Sequence, residues 1–142
     1  MNEDQVRLNF ESEGLEGPRE VRVVPDDSEG LPLAIVAAEG NAWGLVGPEM
    51  GAHLRSMHRI SLRPEGFTIP LRHPMEAVYY VIAGAVEIHD LDSDVRHQTA
   101  TGGMVLVDPG TRYQLIAGSA GSEIVGGPCP ADPRLYAAPG GG

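Results

Sequence analysis

The side chains best suited to chemistry in this chain are His73, Tyr79 and Tyr113. An imidazole with a reference pKa near 6.5 can take or give a proton close to neutral pH. A phenol can donate a hydrogen bond to an enolate or protonate one. Each has a plainer reading. His73 also suits a neutral core histidine bonded to a backbone carbonyl, and the tyrosines suit core aromatics with hydroxyls at a rim. Glu76 adds a carboxylate three residues after His73. Arg59, on a strand with Ile60 and Leu62, clamps a carboxylate if it points inward and meets solvent if it points outward. All ten basic residues are arginine, so a lysine Schiff base and a lysine general base are excluded. Cys129, in Pro-Cys-Pro without a histidine partner nearby in sequence, reads as an inert or mouth-lining thiol. His53, His89 and His97 fall near strand ends or turns and read as surface residues. Asp90, Asp92 and Asp94 read as a solvated hairpin loop, because the glycine and distal glutamate of a calcium loop are missing.

The elements that must position these groups are short. Nineteen glycines and twelve prolines punctuate the chain, a density of breakers that suits strands and tight turns and that a helical bundle would not tolerate. Strands are expected at 31–38 (an edge, because of Pro32), 54–63, 67–73, 77–83, 85–89, 95–100, 104–108, 113–117 and 123–125. Trp43 falls in an irregular apolar segment between the first two. Their close spacing predicts an all-β, antiparallel sandwich or barrel. Three parts are expected: an acidic, flexible segment over 1–20, a β-domain over 21–126, and a Pro/Gly-rich tail over 127–142 that wraps the surface or the mouth.

With 142 residues, one domain with a single core is expected. A formal charge of −10 argues against nucleic acid and anionic membrane surfaces as partners. No apolar stretch approaches about 18 residues, and no basic-then-apolar leader follows Met1. The single cysteine rules out an intrachain disulfide. Together these predict a cytoplasmic protein.

The run from Gly66 to Gly84 and the run from Gly102 to Tyr113 resemble the two motifs of the cupin superfamily, and the similarity spans roughly 52–126. The resemblance implies a single cupin-type antiparallel β-barrel, or jelly roll. Setting the first motif's last glycine on Gly84 puts its two histidines at Leu71 and His73 and its glutamate at Ala77. The second motif's histidine falls on Tyr113, with Asp108 at its proline position. Of four usual metal ligands only His73 is kept. Transition-metal sites need about three lone-pair donors within roughly 2.0–2.3 Å of the ion, and leucine and alanine offer none.

If His73 points inward, strand alternation carries Leu71, Ile69 and Phe67 inward with it, Ala77 carries Tyr79 and Val81, and Tyr113 carries Leu115. The resulting lumen is apolar with an imidazole and two phenols, a lining that suits a largely apolar or aromatic small molecule. Met75 and Trp43 are candidates for its mouth. The resulting expectation is a metal-independent cupin enzyme without cofactor, working by acid–base or templated isomerisation or cyclisation through His73, Tyr113, Tyr79 and Glu76. One alternative is a non-catalytic small-molecule-binding cupin. Another is a cupin oxygenase, isomerase or lyase that holds a divalent transition metal on His73, His58 and Glu76. By family analogy the chain is expected to pair as a homodimer.

Overall fold

The structure, a computed structural model, describes residues 20–136. The expected N-terminal segment lies almost wholly outside the described residues, as does the end of the tail. Seven strands form: β1 (Leu31–Leu33), β2 (Val36–Val46), β3 (Met57–Thr68), β4 (Glu76–Asp90), β5 (Val95–Ala100), β6 (Met104–Val107) and β7 (Tyr113–Cys129). Two 3-10 turns, Pro48–Met50 and Pro133–Tyr136, complete the ordered elements. No helix among the described residues is long and apolar enough to cross a membrane.

All the strand pairs are antiparallel, in the order β1-β2-β3-β7-β4-β5, with β6 also on β4. The long strands are the main departure from expectation. Breaks between strands were expected at 64–66, at Gly84 and at 118–122, yet the chain continues through each as one strand. Pairing of β3 with β7 jumps from Leu62↔Ser122 to Phe67↔Ile116, and pairing of β4 with β7 shifts on either side of Ala83 and Gly84. These are corners at which strands bend from one half of the sheet to the other, a role glycine and bulges fill in small barrels. Gly84 has φ +84°, and a Cβ there would lie 2.1 Å from the Gly121 carbonyl oxygen. Beyond Gly84, β4 pairs with β5; before it, β4 pairs with β6. β5 and β6 therefore share one edge of β4 without pairing with each other. Trp43, expected in an irregular segment, sits inside β2.

Alternation fills one core from both halves. Ala77, Tyr79 and Val81 on β4, Tyr113, Leu115 and Ala117 on β7, and Ile60 and Leu62 on β3 are all buried in it. On β3 the expected parity fails. Thr68 is buried, while Phe67 and Ile69 are 37% and 38% exposed. The chain leaves the ladder after Thr68, passes Pro70, and rejoins it through a single bridge between Leu71 and Tyr113. That break moves the inward set by one residue, so Leu71 and His73 face the core but Ile69 does not.

β7 runs on to Cys129, three residues beyond the expected end of the β-domain. Pro128 pairs with Ala77, and Cys129 pairs with Glu76. The chain then passes over one end of the core as a strap, residues 130–136, closed by the second 3-10 turn.

Candidate active site

Four buried side chains join end to end inside the barrel. His73, between the Leu71 bridge and the start of β4, points its ring into the core. Its Nδ1 lies 2.8 Å from Asp132 Oδ2 on the strap, and its Nε2 lies 2.9 Å from the Tyr113 hydroxyl at the start of β7. The Tyr113 hydroxyl lies 2.6 Å from that of Tyr79 in mid-β4. None of the four is more than 3% exposed.

Proton positions follow from the donor inventory. Asp132 is held as a carboxylate and can only accept, so His73 Nδ1 carries the proton and donates it there. When the ring is neutral, its Nε2 accepts from the Tyr113 O–H, and the Tyr113 oxygen then accepts from the Tyr79 O–H. Three hydrogen bonds use all three available protons, and each points toward Asp132.

Asp132 is the sole buried carboxylate among the described residues. Burial alone would raise its pKa, but hydrogen bonds from Arg134 and His73 outweigh that and hold it down to about 2. Arg134 donates from Nη2 to Oδ2 at 2.8 Å, and from Nε and its backbone N–H to Oδ1, both at 3.1 Å. A further Nη2 bond to the Arg72 carbonyl fastens the strap beside His73. Both phenols are shifted the other way. Burial pushes Tyr79 up to about 12, and burial together with Tyr79 and Asp132 pushes Tyr113 well above the ordinary phenol range. Each therefore stays protonated unless its proton has somewhere defined to go.

A second pair lies beside the first. His58, inward on β3, places Nε2 2.9 Å from the hydroxyl of Tyr136 on the strap. Burial, and then the nearby His73, lower its pKa to about 4. Its Nδ1 is buried without a partner. Gly44 and Gly47 seat Tyr136, since a Cβ would lie 3.4 Å from its ring at Gly44 and 3.1 Å from its hydroxyl at Gly47.

Several expected site residues lie elsewhere. Glu76 is exposed, because its neighbour Ala77 takes the inward position and alternation sends Glu76 out. Arg59 is turned outward by the same rule between His58 and Ile60, and pairs with Glu123 at 2.9 Å. Trp43, between inward Ala42 and Gly44, borders an outer groove with Leu45, Met57 and Arg59. Ile69 faces outward, and Met75 is half-buried in the bend before β4. Leu71, Val81 and Leu115 are core neighbours of the four-residue chain. Asp132, Arg134 and Tyr136 were missed, because all three lie in the stretch read as a surface tail. Its one sequence signal is a carboxylate and an aromatic close behind the last strand.

The motif resemblance implies a metal, but the donors do not fit one. Leu71 and Ala77 occupy two ligand positions, and both nitrogens of His73 are already bonded. The irregular set of His58, His73 and Glu76 is not brought together, since Glu76 lies on the far face of β4 and His58 is turned to Tyr136. Among the described residues no three His, Cys, Asp or Glu side chains group to hold an ion.

A cleft of about 450 Å³ opens between β5 and β6, where those strands share the edge of β4 unpaired. Ile88, Val105 and Val107 form much of its wall, and the almost wholly covered Tyr113 closes its inner side. That volume lies within the range of small-molecule pockets.

No protein-family model matches the chain, and no curated protein matches it. Solved structures do. The polyketide cyclase RemF from Streptomyces resistomycificus superposes with a TM-score of 0.63 at 17% identity, over 81% of this chain and 82% of that one. A predicted oxalate decarboxylase from Thermotoga maritima gives 0.60 at 19% identity, over 76% and 99%. An RmlC-like cupin from Shewanella frigidimarina gives 0.57 at 15% identity, over 70% and 83%. The chain has the cupin jelly-roll fold.

Proposed function

We propose that this chain is a proton-transfer enzyme on the cupin fold, acting on a small, largely apolar or aromatic molecule by isomerisation or ring closure. The observation that carries the reading is the buried chain Asp132–His73–Tyr113–Tyr79, whose third member closes the β5–β6 cleft. A substrate O–H or C–H acid in the cleft gives its proton to the Tyr113 oxygen as Tyr113 passes its own proton to His73 Nε2. The imidazolium so formed is paired with the Asp132 carboxylate, and the Tyr79 O–H stabilises charge that passes through the Tyr113 oxygen. Returning the proton at a different atom completes an isomerisation. Attack of the carbanion on a second carbonyl of the same molecule, followed by the return, closes a ring. A polyketide cyclase among the structural neighbours supports this reading, because such closures begin with proton removal beside a carbonyl.

The direct test is deuterium uptake at C1 of the neutral bicyclic ketone 2-tetralone in heavy water, followed by proton NMR. The protein is expected to speed exchange over buffer, and His73→Gln and Tyr113→Phe each to lower the catalysed rate by about tenfold or more. Unchanged rates in both folded variants would sink the assignment.

The same site serves a non-catalytic binding protein if the substrate stops at the cleft. The nearly complete burial of the four residues is the observation that favours this second reading. It predicts thermal stabilisation by 2-naphthol, with 2-tetralone exchange no faster than in buffer.

A further inference from the structure

We infer that the β5–β6 cleft takes an uncharged ring bearing an acidic O–H, a phenol or an enol, and rejects carboxylates and phosphates. The inference rests on the proton-transfer reading of this site and names its substrate class. Two independent observations carry it.

The first is the direction of the hydrogen bonds. With Asp132 a carboxylate and the His73 ring neutral, every proton of the chain points toward Asp132: His73 Nδ1–H to Asp132, Tyr113 O–H to His73, Tyr79 O–H to Tyr113. Tyr113 is the one member of the chain that lines the cleft, and its oxygen has one lone pair left. A ligand that reaches that oxygen meets an acceptor, so it must donate there. A phenol or enol O–H does so. A carboxylate or phosphate oxygen has nothing to give and would face the Tyr113 oxygen lone pair to lone pair. An ether oxygen in the same place leaves that acceptor unpaired, a loss that polar sites enforce strongly.

The second is charge. The cleft is lined by Asp90 and Asp108 as well as its apolar wall, and no arginine borders it. His97 is its one basic side chain. Asp132 behind the phenols puts another carboxylate inside the barrel, while its guanidinium partner sits on the strap side and is largely exposed. The chain as a whole carries −10. An anion would therefore approach against the local and the global field, with no bidentate partner to receive it. Two outer-face arginines are committed elsewhere, Arg59 to Glu123 and Arg96 to Glu87, and exposed Arg112, between Thr111 and Tyr113, is not among the cleft's lining residues.

Binding, read without turnover, separates this inference from the catalytic one. Three naphthalenes of one shape are titrated into the full chain by calorimetry: 2-naphthol, 2-methoxynaphthalene and 2-naphthoate. The naphthol is expected to bind at least tenfold tighter than either of the others. Tyr113→Phe should bring its affinity down to that of the ether. Asp108→Arg, on an exposed position that leaves the core intact, should tighten naphthoate at least fivefold. Naphthoate binding as tightly as naphthol, an ether equal to the phenol, or no binding by any of the three overturns the inference. A naphthol preference without any exchange of 2-tetralone leaves the ligand class standing and removes the catalysis.

Discussion

At the scale of single residues, the proposed base owes its role to the pairing of His73 with Asp132. A neutral imidazole bonded to a backbone carbonyl gains only a charge-assisted hydrogen bond on protonation. One bonded to a carboxylate held at about 2 forms an ion pair when it takes a proton. Asp132→Asn keeps the shape and removes the charge, and its catalysed exchange of 2-tetralone should fall by about tenfold or more while His73 stays in place. A second prediction concerns acid stability. The folded pKa of His58, about 4, lies below its unfolded value near 6.5, so the unfolded chain binds the extra proton between those two pH values. Stability is full above about pH 6.5 and declines as pH falls to about 4, by on the order of 3 kcal/mol. Asp132 adds a lower window, lost as pH falls from about 4 to about 2. Urea midpoints measured from pH 7 to pH 4 should show the first decline in the wild type and lose most of it in His58→Gln. His73 and Tyr113 were legible in the sequence because the motif resemblance sets them at ligand positions, and Tyr79 because alternation carries it inward with Ala77. Asp132 was not. It lies 59 residues from His73 along the chain, and no periodicity spans a strap that follows the last strand.

At the scale of elements, the same glycines that suggested hairpins mark bends. A turn reverses the chain, whereas a bulge or a left-handed glycine lets a strand continue in a new direction, and composition alone does not separate the two. The prolonged β3, β4 and β7 matter because bending β4 at Gly84 leaves β5 and β6 unpaired side by side, which opens the cleft over Tyr113. Gly84→Ala puts a Cβ within 2.1 Å of the Gly121 carbonyl oxygen in a left-handed conformation, and should cost about 2 kcal/mol or more, read as a lower urea midpoint. The strap is the other element that the site requires. Asp132, Arg134 and Tyr136 each tie it to the barrel by a side chain, to His73, the Arg72 carbonyl and His58. Tyr136→Phe removes the one hydrogen bond of His58 and leaves both its ring nitrogens unpartnered in a buried place, at a cost of about 1–3 kcal/mol in the same measurement.

At the scale of the whole molecule, fold and activity separate. Glycine and turn spacing made the jelly roll legible, and structures of very low identity share it, including a cyclase and a predicted decarboxylase. That breadth is why the fold alone assigns no reaction here. Leu71 and Ala77 stand where the resemblance puts metal ligands, and on the proposed reading the buried chain of Asp132, His73, Tyr113 and Tyr79 supplies the chemistry instead. If that chain works as a unit, its members cannot contribute independently. The most direct measurement is therefore the 2-tetralone exchange rate in Asp132→Asn, Tyr113→Phe and the double variant, each corrected for the rate in buffer. A double variant no slower than the slower single variant is the predicted result, because either change alone already interrupts the path. Losses that multiply in the double variant, or a wild type no faster than buffer, would contradict it.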